Sequence, residues 1–102
     1  MPEDPRLAAI ARDFAGDPRI AAGKLFASYG LKVDGKIFAM VVRDRLVVKL
    51  PRARAAALVA GGQAEPFDPG HGRPMREWIG WTGDDAGWRP LVHEALAYVG
   101  RR

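Results

Sequence analysis

Residues 24–50, KLFASYGLKVDGKIFAMVVRDRLVVKL, alternate in facing across three short segments parted by two tight-turn signals, which predicts a β-meander. Asp34-Gly35 supplies the two positive-φ positions of a type I′ hairpin loop. In that register Val33 faces Lys36, Leu31 faces Phe38 and Tyr29 faces Met40. If Arg43-Asp44 forms the second turn, Val42 faces Arg45, Met40 faces Val47 and Phe38 faces Lys49. The pairs Ile37/Leu50, Ala39/Val48 and Val41/Leu46 then point to the opposite side. Both faces are largely apolar on this register, so each needs a cover.

Helical spacing flanks the meander. Asp4 before Pro5 reads as an N-cap with proline at the first helical position, and Leu7, Ile10, Ala11 and Phe14 share one face up to the stop at Gly16. Residues 19–23 lead into the sheet. Pro51 starts a short helix over Arg52–Ala60, with Leu58 and Val59 at its buried end and Gly61-Gly62 as its stop. The glycine- and proline-rich run from Gly61 to Pro74 predicts a loop with one brief strand near Pro66-Phe67, and Met75–Trp81 predicts another strand. In that strand Glu77, Ile79 and Trp81 point one way and Arg76, Trp78 and Gly80 the other. Thr82 with Asp85 resembles a capping box ahead of an amphipathic helix carrying Trp88, Leu91, Val92, Ala95, Leu96 and Val99. The order α-β-β-β-α-β-β-α predicts one two-layer α+β domain over residues 1–102, a five-stranded antiparallel sheet packed against helices.

Composition narrows the function classes. The N-terminus MPEDPRLAAIARDF carries acids where a signal peptide needs bases, and no apolar run approaches the length of a bilayer span, so we expect a cytoplasmic protein with no membrane partner. The absence of cysteine removes disulfides and thiolate metal sites. One serine, Ser28, one threonine, Thr82, and two histidines, His71 and His93, form a poor catalytic inventory, and none lies beside the partners a nucleophile or a metal needs. Asp84-Asp85 suits the positive end of a helix better than acid-base work. We therefore expect no enzyme activity, no cofactor and no metal.

Two constellations remain as candidate sites. Arg43, Arg45, Lys49, Arg52 and Arg54 gather around the second turn and the next helix, in a chain of net charge +4, and form a candidate phosphate-contacting patch for nucleic acid. His71, Arg73 and Trp78 are candidate lining residues of a small-molecule pocket under the 61–74 loop.

The meander also resembles the N-terminal domain of TfoX/Sxy proteins, which are associated with regulation of natural competence. The matching positions are Lys24, Phe26, Gly30, Leu31, Asp34, Gly35, Phe38, Ala39 and Lys49, echoed downstream by Glu65-Pro66-Phe67 and Gly72-Arg73-Pro74. Leu25 and Ala27 depart from the family's methionine and glycine, and Ile79-Gly80-Trp81 departs from its later run. The resemblance implies a YjbR-like or secretion-chaperone-like fold and a non-enzymatic regulatory or protein-interaction role, with transcription machinery as a partner class. It carries over no catalytic residues. The family's competence regulators add a C-terminal helical domain, whereas this sequence ends at Arg102, so the expectation is for a lone domain. The two apolar sheet faces add one further expectation, a homodimer that covers the second face, unless the first helix or the long loop covers it instead.

Overall fold

The computed structural model describes residues 4–25, 28–68 and 75–101. Helix α1 (Pro5–Ala11) runs into a 3₁₀ turn at Arg12–Phe14, and strands β1 (Ile20–Leu25), β2 (Ser28–Val33), β3 (Lys36–Val42) and β4 (Arg45–Lys49) follow. Helix α2 (Arg52–Ala60), strands β5 (Ala64–Phe67) and β6 (Met75–Trp81), and helix α3 (Trp88–Val99) complete the chain. The six strands form one antiparallel sheet in the order β1-β2-β3-β4-β6-β5.

The α+β architecture matches the expectation with one strand more. β1 occupies the stretch read as a lead-in, pairing from Ile20 opposite Val33 to Leu25 opposite Ser28. Its sequence, IAAGKL, offers little β-propensity, so pairing with β2 decides its conformation where local preference does not.

Both predicted turns form. Asp34 and Gly35 have φ of 50° and 81°, and Arg43 and Asp44 have φ of 51° and 68°, so each hairpin closes with two left-handed residues. The second turn contains no glycine. Asp44 is held from outside it, because Arg6 donates to its carbonyl at 3.2 Å and its carboxylate at 2.6 Å. The β3–β4 register is as expected: Val42 faces Arg45, Val41 faces Leu46, Met40 faces Val47 and Ala39 faces Val48.

The β2–β3 register corrects the sequence reading. Val33 faces Lys36, but Leu31 faces Ala39 and Gly30 faces Met40, because β3 advances two residues where β2 advances one. Phe38 is the extra residue of this β-bulge. It is fully buried along with Ala39, and its ring meets Phe14 edge-on at 6.3 Å. Alternation along an unbroken strand had put Phe38 and Leu31 on the second face. The bulge puts both in the core with the helices.

That core holds Leu7 and Ile10 of α1, Leu58 of α2 and Leu91 and Val92 of α3 against Leu31, Leu46, Val48, Leu50 and Ile79 of the sheet side. Asp4 caps α1 as expected, accepting from the Arg6 N–H at 2.8 Å and the Leu7 N–H at 3.4 Å. The expected capping box does not form. A 3₁₀ turn at Asp85–Gly87 precedes α3, its N-cap position is Gly87, and the Thr82 hydroxyl donates to the Gly62 carbonyl instead. The reason is Trp81, which fills the space where that cap would sit. Its indole N–H donates to the Asp84 carbonyl at 2.8 Å, and a Cβ on Gly83 or Gly87 would lie 2.5 or 2.4 Å from its ring.

Candidate functional site

The site lies at the corner where β4 hands over to α2. The Leu50 N–H donates to the Glu77 carbonyl, which fixes the end of β4 against β6, and Pro51 then turns the chain into α2. Lys49 lies opposite Trp78 on the ladder. β5 would cover this part of β6, yet its register shifts between Pro66 and Phe67, from Pro66 opposite Ile79 to Phe67 opposite Met75. Arg76, Glu77 and Trp78 are therefore left without β5 partners. The opening is a concavity of about 380 Å³ lined by Lys49, Arg52, Arg76, Glu77 and Trp78.

A second concavity of about 400 Å³ shares Arg52, Arg76 and Trp78 and continues along α2. Its helix wall is Ala55, Ala56, Val59 and Ala60, on the same side of α2 as Arg52, and Pro66 and Ile79 face them. Alanines leave this space open; larger side chains at the same positions would fill it. The combined site is apolar along one helix length and cationic at the α2 N-terminus. Glu77 is already engaged, accepting from the Tyr98 hydroxyl at 2.9 Å. That bond, burial and the carboxylate charge push the Tyr98 phenol above its usual range.

Lys49, Arg52 and Arg76 make no ion pair or side-chain hydrogen bond with the described residues. Most other described arginines do. Arg6 bonds Asp4, Asp44 and Asp85 and lies over the Trp88 ring at 4.1 Å. Arg19 pairs with Asp17, and Arg89 and His93 both reach Asp13 at 2.8 Å. The Arg6, Arg89 and Arg19 guanidiniums hold the Asp4, Asp13 and Asp17 carboxyls below their usual range, with His93 adding to the effect at Asp13.

The five-residue basic patch expected from the sequence is divided by the fold. Arg43 and Arg45 border a separate recess of about 280 Å³ on the uncovered sheet face, beside Val47 and Phe67. Arg45 crosses Gly80, which lacks the side chain that would block it, and pairs with Glu65. Arg54 leaves α2 in the other direction and bonds Glu94 of α3 at 2.8 Å. Lys49 and Arg52 meet at the corner. Of the expected ligand pocket, Trp78 lines the same corner, while His71 and Arg73 lie outside the described residues. Two of the five basic residues and one of the three pocket residues thus converge on one place.

Sequence reasoning did not single out Arg76 or the alanine side of α2. Arg76 had a usable signal, since period-2 facing on β6 puts it beside Trp78. The groove had none, because its existence depends on where β5 leaves the ladder. Among the described residues no group of three or more His, Cys, Asp or Glu is placed to hold a metal ion, and no helix is long and apolar enough to cross a membrane.

No curated protein and no solved structure matches the chain. The model of one family does, and its match runs over residues 13–97, from the 3₁₀ turn after α1 into the last turns of α3, so it takes in every strand and the whole corner site. The chain belongs to the TfoX N-terminal domain family.

Proposed function

We propose that the protein is a non-enzymatic regulatory domain that acts in the cytoplasm by binding a protein partner, with the transcription machinery as the partner class. The carrying observation is the corner site, where three cations without an ion-pair partner among the described residues open onto an apolar groove. Such a surface supplies affinity through burial and selectivity through charge. Its described lining contains aliphatic walls, one tryptophan, three cations and a carboxylate bound to Tyr98, which suits recognition better than bond-breaking. Family membership supports the same reading through the regulatory association of TfoX/Sxy proteins.

The test is complementation. Deleting the gene in its source organism should shift a defined set of transcripts, and the wild-type chain should restore them where Arg52→Glu/Arg76→Glu does not. Full restoration by the double variant, or turnover of a substrate by the purified chain, would overturn the proposal.

Nucleic acid is the second reading, supported by Trp78 among Lys49, Arg52 and Arg76. It requires affinity for an oligonucleotide to fall steeply between about 50 and about 200 mM salt. Self-association has weaker support than the sequence suggested. With Leu31 and Phe38 in the core, the uncovered face keeps Val47, which is already buried, and the half-buried Ile37, Met40 and Val42. Sedimentation at micromolar concentration should return the 11.1 kDa monomer; a dimer mass would make that face its interface.

A further inference from the structure

The corner site is polarised along its length, and that pattern selects among occupants. At the far end α2 stops at Gly61. From there Ala60, Val59, Ala56 and Ala55 lead back to Arg52, with Pro66 and Ile79 opposite. A nine-residue helix is about 14 Å long, so the apolar part spans about two turns of a second helix laid beside it. Beyond Arg52 the lining becomes Lys49 and Arg76 around Trp78.

We propose that this groove is the docking site for a short amphipathic helix of a partner protein, with its apolar stripe against the accessible Ala56, Val59, Ala60 and Pro66, over a floor of buried Ala55 and Ile79, and a cluster of carboxylates at Lys49, Arg52 and Arg76. The inference deepens the reading of the protein as a partner-binding domain and rests on it. Small side chains on α2 allow a second helix to approach closely. A helix-in-groove mode uses side-chain anchors at i, i+3 and i+4 of the docked helix, which a groove about two turns long has room for. Strand addition at the neighbouring sheet edge is the poorer alternative. β5 has four residues, and Pro66 among them has no N–H to give.

The charge pattern disfavours other occupants. Phosphates repeat along a nucleic acid strand, and a track for them needs cations that repeat as well. Here the cations stand at one end and the basic run does not continue from them: Arg43 and Arg45 border a separate recess, where Arg45 pairs with Glu65, and Arg54 turns away to Glu94. A second copy of the chain offers the cations no cluster of free acids among its described residues: Asp4, Asp13, Asp17, Asp44, Asp85, Glu65, Glu77 and Glu94 are engaged internally, and the exposed Asp84 stands alone beside the engaged Asp85. An acidic, apolar-striped helix satisfies both ends of the groove.

The experiment places a photoreactive amino acid at Ala56 of the full chain in the source cells, and in parallel at Met40 on the uncovered sheet face. Crosslinked peptides are then sequenced. The expected product at Ala56 is a segment of another protein with apolar residues at helical spacing next to several Asp or Glu. Arg52→Glu/Arg76→Glu should lower its yield about tenfold, and reversing the partner's acids to Arg should restore the yield. Thermal melts of both chains check that the reversal leaves the fold intact. A crosslink at Ala56 to nucleic acid, to a second copy, or to a segment without carboxylates would overturn the inference, as would yield insensitive to the double reversal. A partner captured at Met40 and none at Ala56 would sink the groove assignment while leaving the partner-binding reading standing. No protein captured at either position would sink both.

Discussion

The helix-covered middle of the sheet and the β4–α2–β6 corner are built from the same kinds of residue to opposite ends. In the middle, side chains of α1 and α3 close over β2, β3 and β4, and the arginines around the rim are answered by Asp4, Asp13, Asp17, Asp44 and Asp85. At the corner the ladder opens at Pro66, the facing helix offers alanines, and three cations have no answering carboxylate among the described residues. Satisfied charge beside full packing accounts for itself as structure. Unsatisfied charge beside open apolar space is the contrast on which the proposed docking site rests.

The comparison breaks most easily in the middle. Phe38→Ala empties a fully buried ring site between β3 and Phe14, and such truncations cost about 3–5 kcal/mol. Urea unfolding should show a loss of that size. A loss below about 1 kcal/mol would mean that Phe38 is not held in the core and that the bulge is misplaced.

Next in size is the seam that leads from β6 to α3. Gly87 has an ordinary negative φ, so its role is space: a methyl there would meet the Trp81 ring at 2.4 Å. Gly87→Ala must displace a tryptophan that is tied to the Asp84 carbonyl, and overpacking of this kind costs about 1–3 kcal/mol. Trp81 fluorescence should shift along with the melt, since the indole leaves its slot. A stable Gly87→Ala with an unchanged spectrum would show that the seam is loose.

Much of this middle was legible in the sequence, for identifiable reasons. Asp34-Gly35 and Arg43-Asp44 mark turns by residue type, and the heptad-like spacing from Trp88 to Val99 marks α3 by period. The bulge was not legible, because nothing in KIFAMVV says that Phe38 and Ala39 share a face; the demand comes from Phe14 and the helices above. β1 was hidden by its alanines and glycine. At the corner the sequence supplied Lys49, Arg52 and Trp78 in two separate lists, and only the departure of β5 from the ladder unites them with Arg76.

Acid offers a subtler probe. Asp4, Asp13 and Asp17 have carboxyls depressed below their usual values by neighbouring arginines, so the unfolded chain binds protons more readily than the folded one at these sites. Their stabilisation is present above the unfolded value of 3.8 and is lost as pH falls through the lower folded values. Melting temperature should therefore decline on acidification from about pH 5 downward, and Asp13→Asn should flatten part of that decline. An identical pH profile for Asp13→Asn would mean that its contacts to Arg89 and His93 do not persist in solution.

The smallest expected effect on stability is also the sharpest statement of the contrast. Charge reversal at Arg6 strips Asp4, Asp44 and Asp85 of their shared partner, exposes a like charge to all three and removes the cation from the Trp88 face, so it should destabilise clearly. Reversal at Arg52 or Arg76 disturbs no ion pair with a described residue, and both side chains are exposed. Surface substitutions of that kind usually stay within about 0.5 kcal/mol. Reversing both together exchanges repulsion among Lys49, Arg52 and Arg76 for repulsion between the two new carboxylates and Glu77, so the net change should stay small at low and at high salt. Paired melts at about 20 and about 300 mM salt read this directly, because screening acts on exposed charges over roughly a Debye length. If Arg52→Glu/Arg76→Glu proves as damaging as Arg6→Glu at both salt concentrations, the corner cations are part of what holds the fold together, and the division between a structural middle and a binding corner fails.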